Sequence, residues 1–348
     1  MEFIKAFHID AGRKYYSFDS LIDLINVCAE NDYNTIELAI GNDGYRFLLD
    51  DMSVQTSFKL YESVSVKEAL HIGNITYCDN GTNELTEREL AMLIEHANNK
   101  GLQVIPLLNT PGHMNALLTA MEHLGIADPS YKNSKTTVDL ENSEAVEFTK
   151  AFLSMAIKWF ANKGCKYFNL GSDEYANDVL SSGFEALQNP ECYAYNKFIS
   201  YVNDIAAIIK SNNMIPIMFN DGVYYNRDLS GGRLDSDIVV SYWSFGWPGY
   251  TPAPVDYIEA QGYKIIDTCA DWYYVLGRTE NDGGNQDFTF QSSLKALGSG
   301  QSFVSDAMLN APIGCMFCLW SDDPTVPYNE NEVERMHTLI PAFAPTIK

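Results

Sequence analysis

The chain has 348 residues, with 46 Asp and Glu against 23 Lys and Arg, a formal charge of −23, and 46% hydrophobic and 13% aromatic residues. That apolar content excludes a disordered chain, and the negative excess disfavours phosphate backbones and anionic lipid as partners. Neutral or polar small molecules are left as substrates, and no apolar run reaches the roughly 18 residues of a membrane span.

Short apolar runs of strand character fall at Ile4–Ile9, Thr35–Ile40, Gln103–Leu108, Tyr167–Leu170, Ile215–Asn220, Ile238–Tyr242, Lys264–Asp267 and Gly314–Leu319. The start, MEFIKAFHID, lacks the basic and apolar regions of an export signal. After the second run, Arg46–Asn83 reads as a hairpin-like insertion. Thr86-Glu87-Arg88-Glu89 is a capping box that opens a helix running to Gly101. Further helices are predicted over Ser143–Asn162 (with Gly164 as its stop), Cys192–Asn213 and Asn331–Phe343. Arg278–Ser302, rich in Gly, Asn, Gln and Ser, reads as a long seventh loop. Strands alternating with helices build right-handed βαβ units. Eight of them, with no linker or repeat, predict one α/β domain over residues 1–348, a closed (β/α)8 TIM barrel with long βα loops.

Seven cysteines (Cys28, Cys78, Cys165, Cys192, Cys269, Cys315 and Cys318) are odd in number and scattered, which predicts buried free thiols. Cys315 and Cys318 have CxxC spacing but sit in the run IGCMFCLW, so they read as strand residues.

A barrel enzyme builds its site where its strands end. Here the endings read HIDAGR, AIGNDGYR, LLNTPGH, NLGSDE, MFNDG, SYWSFGW, DTCADWYY and LWSDD. They supply Arg13, carboxylates that include Asp43 and Asp322, one imidazole, His113, and the rings of Trp243, Trp247 and Trp320. Carboxylates and Arg grip hydroxyls while aromatic rings stack on the C–H face of a pyranose, so the mixture suits a sugar.

The adjacent carboxyls Asp173 and Glu174 follow a buried run and the small pair Gly171-Ser172. Their mutual repulsion is expected to raise at least one pKa, which prepares a general acid. In so acidic a chain a solvated loop is the competing reading, and the strand-end position favours catalysis. His113 follows a turn that Pro111 and Gly112 stiffen, and is read as a partner to a site carboxylate. The remaining histidines lack ligand spacing. With no HExxH, no phosphate-binding Gly loop and no GxSxG elbow, no metal and no cofactor is expected.

Together HIDAGRKYY, GNDGYRFLLDDMS, NTPGHMNALL, DEYAND, FNDGVYYN and DWYYVLGR resemble the catalytic domain of glycoside hydrolase family 20, the β-N-acetylhexosaminidases. The likeness is strongest to modules of bacterial cell-surface exo-β-N-acetylglucosaminidases and covers nearly the whole chain. It implies a retaining reaction in which the substrate's own 2-acetamido oxygen attacks the anomeric carbon, an exception to the usual two-carboxylate scheme. By the same resemblance Glu174 is the acid and then the base, and Asp173 orients the acetamido N–H. Arg13 and Asp322, the latter standing where the family usually has Glu, bind hydroxyls at the far edge of the terminal sugar. Trp243 and Trp320 wall the pocket. Trp247 is either a contact for the next sugar or a loop-packing residue. A tyrosine of the segment Asp271–Tyr274 bonds the acetamido carbonyl; Tyr274 is taken, with Tyr273 one residue away.

Three departures stand out. Gly171-Ser172 replaces a Gly-Gly or Gly-Ala step, Phe219-Asn220 replaces a Trp after the fifth strand, and the small α/β domain common in the family does not precede the barrel. The expectation is an excised module or a minimal enzyme acting on glycans with terminal β-linked GlcNAc. A lacto-N-biosidase and an inactive lectin-like barrel are the alternatives. Family resemblance points to a secreted or cell-surface setting, although no signal or anchor is seen in these residues.

Overall fold

The computed structural model describes residues 2–78, 83–132, 134–179, 194–248, 250–280 and 287–346. Its centre is eight strands: β1 (Ile4–Asp10), β2 (Thr35–Asn42), β3 (Gln103–Leu108), β4 (Tyr167–Asn169), β5 (Ile215–Phe219), β6 (Val239–Tyr242), β7 (Lys264–Asp267) and β8 (Gly314–Trp320). Consecutive strands pair in parallel around the ring, and β1 pairs with both β2 and β8, so the sheet closes on itself. Each expected strand is present to within two residues.

Burial explains why the runs were continuous rather than alternating: all eight residues of β2 and all seven of β8 are buried. Ile4, Ala6, Ile105, Leu107, Ile217 and Met316 share one inner cluster, while the other strand face packs against the helices. A polar chain crosses this interior. His8 Nδ1 lies 2.8 Å from Glu37 Oε1, and Asn169 Nδ2 donates to Glu37 Oε2 at 2.9 Å, all three side chains being buried.

The capping box forms as expected, with Thr86 and Glu89 closing the start of helix Glu87–Asn99. Helix Ser143–Asn162 is capped by the Asn142 side chain and helix Glu330–Phe343 by Asn329. Helix Ala194–Ser211 matches the third prediction, whose start at Cys192 lies outside the described residues.

Two expectations are corrected. The insertion after β2 does contain a small hairpin, Val54–Gln55 against Leu60–Tyr61, but its longest element is a helix, Ser63–Tyr77. That helix begins at Glu62 without a side-chain cap bond and carries Val64, Val66, Ile72, Ile75 and Thr76, so neither punctuation nor propensity announces it. Packing makes it: a Cβ on Gly73 would stand 2.1 Å from the carbonyl oxygen of Ala116, which shows how closely this helix meets helix Asn115–His123. Likewise the expected seventh loop contains helix Phe290–Ser299, opened by a capping box of Thr289 with Ser292 in place of Glu or Gln.

Six cysteines are free and buried, Cys315 and Cys318 within β8, and Cys192 lies outside the described residues. Among the described residues no helix is long and apolar enough to cross a membrane.

Candidate active site

The C-terminal strand ends surround a cavity of about 530 Å³ lined by Arg13, His113, Asp173, Glu174, Trp243, Trp247, Trp320 and Asp322. That volume suits a small-molecule site. Two expected residues, Asp43 and Tyr274, do not line it.

The acid pair sits on a loop whose backbone is forced. Gly171, Ser172 and Glu174 have φ of 69°, 62° and 49°, a left-handed region that costs non-glycine residues on the order of 1–3 kcal/mol. Side chains from the β3 loop hold it there. Ser172 N–H donates to Asn109 Oδ1 at 3.0 Å, the Ser172 hydroxyl donates to the Thr110 carbonyl at 2.6 Å, and Asn109 Nδ2 donates to Asp173 Oδ1 at 2.6 Å. A Cβ on Gly171 would approach the Asn109 amide to 2.2–2.8 Å, so only glycine fits under that clamp. Ser172 therefore replaces a smaller residue by bonding its hydroxyl.

His113 lies between the acid pair and Asp43. Its Nε2 is 3.3 Å from Glu174 Oε2 and 3.5 Å from Asp173 Oδ2, within ion-pair distance of both but without hydrogen-bond geometry to either. Its Nδ1 is 3.0 Å from Asp43 Oδ2, and Arg13 Nε donates to the same oxygen at 3.1 Å, so Asp43 serves both cations. Burial opposes the charged ring, but the Asp43 and Asp173 charges outweigh it and hold the His113 pKa well above the usual imidazole range. Burial pushes Asp173 up, and the nearby His113 charge with the Asn109 bond overcomes it, leaving this carboxyl below the usual range. The sequence pair is thus not simply self-repelling: both carboxyls converge on one imidazole.

Arg13 is anchored from behind. Its Nη1 reaches Asp10 Oδ2 and its Nε reaches Asp43 Oδ2, each at 3.1 Å, while Asp322 Oδ1 lies 3.6 Å from Nη1. Asp43, expected at the sugar, instead lies beneath Arg13 and His113, where burial is outweighed by His113 and Arg13 and its carboxyl is held far below the ordinary range. Asp322 is half-exposed at the rim and also faces Arg278 Nη2 at 3.4 Å.

The aromatic wall corrects a second expectation. Tyr273 lines the cavity, its ring stacked on Trp243 with centroids 6.1 Å apart and set edge-on to Trp320 with centroids 5.6 Å apart. Tyr274 faces the other way: its hydroxyl donates to Glu332 Oε2 at 2.6 Å and accepts from Arg335 Nη1 at 2.9 Å, in the outer core. Successive residues of the short strand Tyr273–Val275, which pairs with β8, point to opposite faces. Phe219 lines the cavity 6.1 Å from the Trp320 ring, so the wall lacking the expected Trp is closed by Phe. Trp247, 42% exposed, flanks Trp243 with ring centroids 6.3 Å apart.

Asn109 and Asp221 are the functional-site residues that the sequence reading passed over. Both sit inside motifs already quoted, NTPGH and FNDG, where they read as turn residues. Asp221 is fully buried. It accepts the Glu174 N–H through Oδ2 and the Trp243 indole N–H through Oδ1, the latter at 3.2 Å. Burial and then the Asp173 charge push its carboxyl well above the ordinary range. Among the described residues no group of His, Cys, Asp and Glu is arranged to hold a metal ion.

The pH consequence of His113 has a definite sign. A raised folded pKa means its stabilising contribution is full below the unfolded value of about 6.5 and is lost as pH rises through the elevated folded value. Replacing His113 by Gln is therefore expected to flatten the alkaline decline of Tm. Thermal melts between pH 6 and 10 check this; an unchanged slope would contradict the paired imidazolium.

A parallel barrel whose strand ends gather a carboxyl pair, an imidazole, an anchored Arg and an aromatic wall has the form of a glycoside hydrolase. The chain belongs to glycosyl hydrolase family 20: the model of that family's catalytic domain matches residues 4–328. A structure of the pneumococcal virulence factor StrH is 38% identical and superposes with a TM-score of 0.91, covering 99% of this chain and 83% of that one. One from the tandem catalytic modules of the pneumococcal exo-β-D-N-acetylglucosaminidase StrH is 39% identical, with a TM-score of 0.90 and the same coverage. Among curated proteins, lacto-N-biosidase of Bifidobacterium bifidum is 29% identical over 199 residues, 54% of this chain and 17% of that protein. β-Hexosaminidase subunit A2 of Dictyostelium discoideum is 21% identical over 306 residues, 87% of this chain and 49% of that protein. The chain thus spans about half or less of the length of these curated relatives.

Proposed function

We propose that residues 1–348 act as one catalytic barrel, an exo-β-N-acetylglucosaminidase or more broadly a β-N-acetylhexosaminidase, that removes terminal β-linked GlcNAc from glycans with retention. The convergence of Asp173 and Glu174 on His113 at the floor of an aromatic pocket carries this reading. In the first step Glu174 gives its proton to the glycosidic oxygen as the acetamido oxygen bonds to the anomeric carbon. The C–O bond to the leaving group breaks, and an oxazolinium ring forms. Asp173, kept ionised by His113 and Asn109, receives the acetamido N–H and stabilises the positive charge that develops there. In the second step Glu174, now the base, takes a proton from water as the water oxygen attacks the anomeric carbon from the vacated side; the bond from that carbon to the acetamido oxygen breaks, which opens the ring and restores the acetamide. Tyr273, rather than Tyr274, bonds the acetamido carbonyl, and Arg13 with Asp322 binds the far hydroxyls. Likeness to StrH supports an extracellular or cell-surface setting.

The direct test is release of p-nitrophenol from the β-GlcNAc, β-GalNAc and β-glucose glycosides. Loss of an internal nucleophile predicts a rate on the glucoside at least about 1,000-fold below that on the GlcNAc glycoside. Comparable rates would sink the acetamido mechanism. The likeness to lacto-N-biosidase favours one second reading, release of a disaccharide, and p-nitrophenyl lacto-N-bioside separates it.

A paired substitution checks the tyrosine. Tyr273→Phe is expected to lower kcat on p-nitrophenyl β-GlcNAc by about 100-fold with an unchanged melting curve. Tyr274→Phe should instead leave Glu332 short of a donor and cost about 1–3 kcal/mol of stability, with kcat little changed. The reverse pattern would return the role to Tyr274.

A further inference from the structure

We propose that Asp221 is a positioning residue that ties the acid, Glu174, to the indole wall of the pocket, Trp243, so that the two are set as one unit. The inference rests on the reading of Glu174 as general acid. Its basis is a single carboxyl group bonded to both neighbours. Asp221 Oδ2 accepts the main-chain N–H of Glu174, and Oδ1 accepts the Trp243 indole N–H at 3.2 Å.

Each donor needs such a partner. Glu174 has a left-handed backbone just past β4, outside the strand ladder, so its N–H has no regular acceptor. Trp243 begins the β6 loop, where Asn220 already fixes the main chain: Asn220 Oδ1 accepts Trp243 N–H at 2.8 Å and Asn220 Nδ2 donates to the Ser244 carbonyl at 2.9 Å. Asn220 thus sets the loop, and Asp221 sets the ring. The two oxygens of the Asp221 carboxyl each accept one N–H, matching the two donors. An amide would match one donor and turn its NH₂ toward the other.

The placement is electrostatically expensive, which argues against a merely convenient surface residue. Asp221 is fully buried and feels the charges of Asp173 and Glu174. Burial and the Asp173 charge both resist its ionisation, while the two N–H bonds favour it. Such a group is retained where its geometry is used.

A misplaced acid has a kinetic signature that a loosened fold lacks. Proton donation matters most when the leaving group is a poor one, so an error of position near 1 Å is worth up to about 100-fold there and little for an activated aryl group. Asp221→Asn is therefore expected to lower kcat on a GlcNAc disaccharide by about 100-fold and on p-nitrophenyl β-GlcNAc by less than about fivefold, with KM raised modestly through Trp243. Trp243→Phe, which keeps a ring but removes the indole donor, should show a smaller bias of the same sign together with a higher KM. That second variant also serves if Asp221→Asn does not fold, as judged by circular dichroism. Equal losses on both substrates in either folded variant would overturn the proposal. Glu174→Gln runs beside them as the reference. If it too shows no leaving-group dependence, the assignment of the acid has failed; if it does and Asp221→Asn does not, only the role of Asp221 has failed.

Discussion

Glu174→Gln is expected to lower kcat on a GlcNAc-terminated oligosaccharide by about 10²- to 10⁴-fold while costing a p-nitrophenyl glycoside far less in its first step. A sugar alkoxide leaves poorly without a proton, whereas p-nitrophenolate is already stable as an anion. Gln keeps the size of the side chain and its contact with His113 but has no proton to give at neutral pH. The fold should be untouched, because the Glu174 side chain is only partly buried and Asp221 holds its main chain. Steady-state rates on both substrates, with a melting curve for each protein, check the result. Parent-like turnover on the oligosaccharide would remove Glu174 from the mechanism.

Arg13→Met is the substitution expected to cost the most stability. It strips the cation from Asp10 and Asp43, both buried, and from Asp322 at the rim. Breaking a buried ion pair from one side costs about 3–5 kcal/mol, and here Asp10 loses the cation it pairs with while Asp43 keeps only His113. The pH dependence follows from Asp43, whose folded pKa is depressed with Arg13 among the causes. A depressed carboxyl contributes stability that is present above its unfolded pKa, about 3.9, and is lost as pH falls through the folded value. The deficit of Arg13→Met relative to the parent should thus be full above about pH 4 and shrink below it, as the carboxyls take up protons. Melts at pH 7.5, 4 and 2.5 test this, and an equal deficit at all three would refute the charge argument. Activity should fall as well, through KM, if Arg13 binds the terminal hydroxyls.

The strands were legible because runs such as Thr35–Asn42 and Gly314–Trp320 are buried on both faces and so read as unbroken apolar segments. The acid pair, His113 and Arg13 were legible because the barrel places strand-end residues at its mouth. Tyr273 was not separable from Tyr274, since a period of two residues fixes which side chains share a face but not which face looks inward. Asp221 was hidden in Asn-Asp-Gly, a sequence that turns use for local reasons, while its bonds run to residues 47 and 22 positions away. Helix Ser63–Tyr77 lacks a side-chain cap, and helix Phe290–Ser299 has its Thr289 cap paired with Ser292 where Glu or Gln is the usual signal.

The anchoring of the site's cations also bears on which glycans can be processed, and when. Arg13 is committed to Asp10 and Asp43, His113 to Asp43 and the acid pair, and Arg278 faces Asp322. A terminal sugar capped with a carboxylate or a sulfate would meet a mouth of carboxyl groups whose positive partners are already spoken for, inside a chain of charge −23. On the function proposed above, acidic caps are expected to lock the glycan, so that trimming would follow the step that removes them.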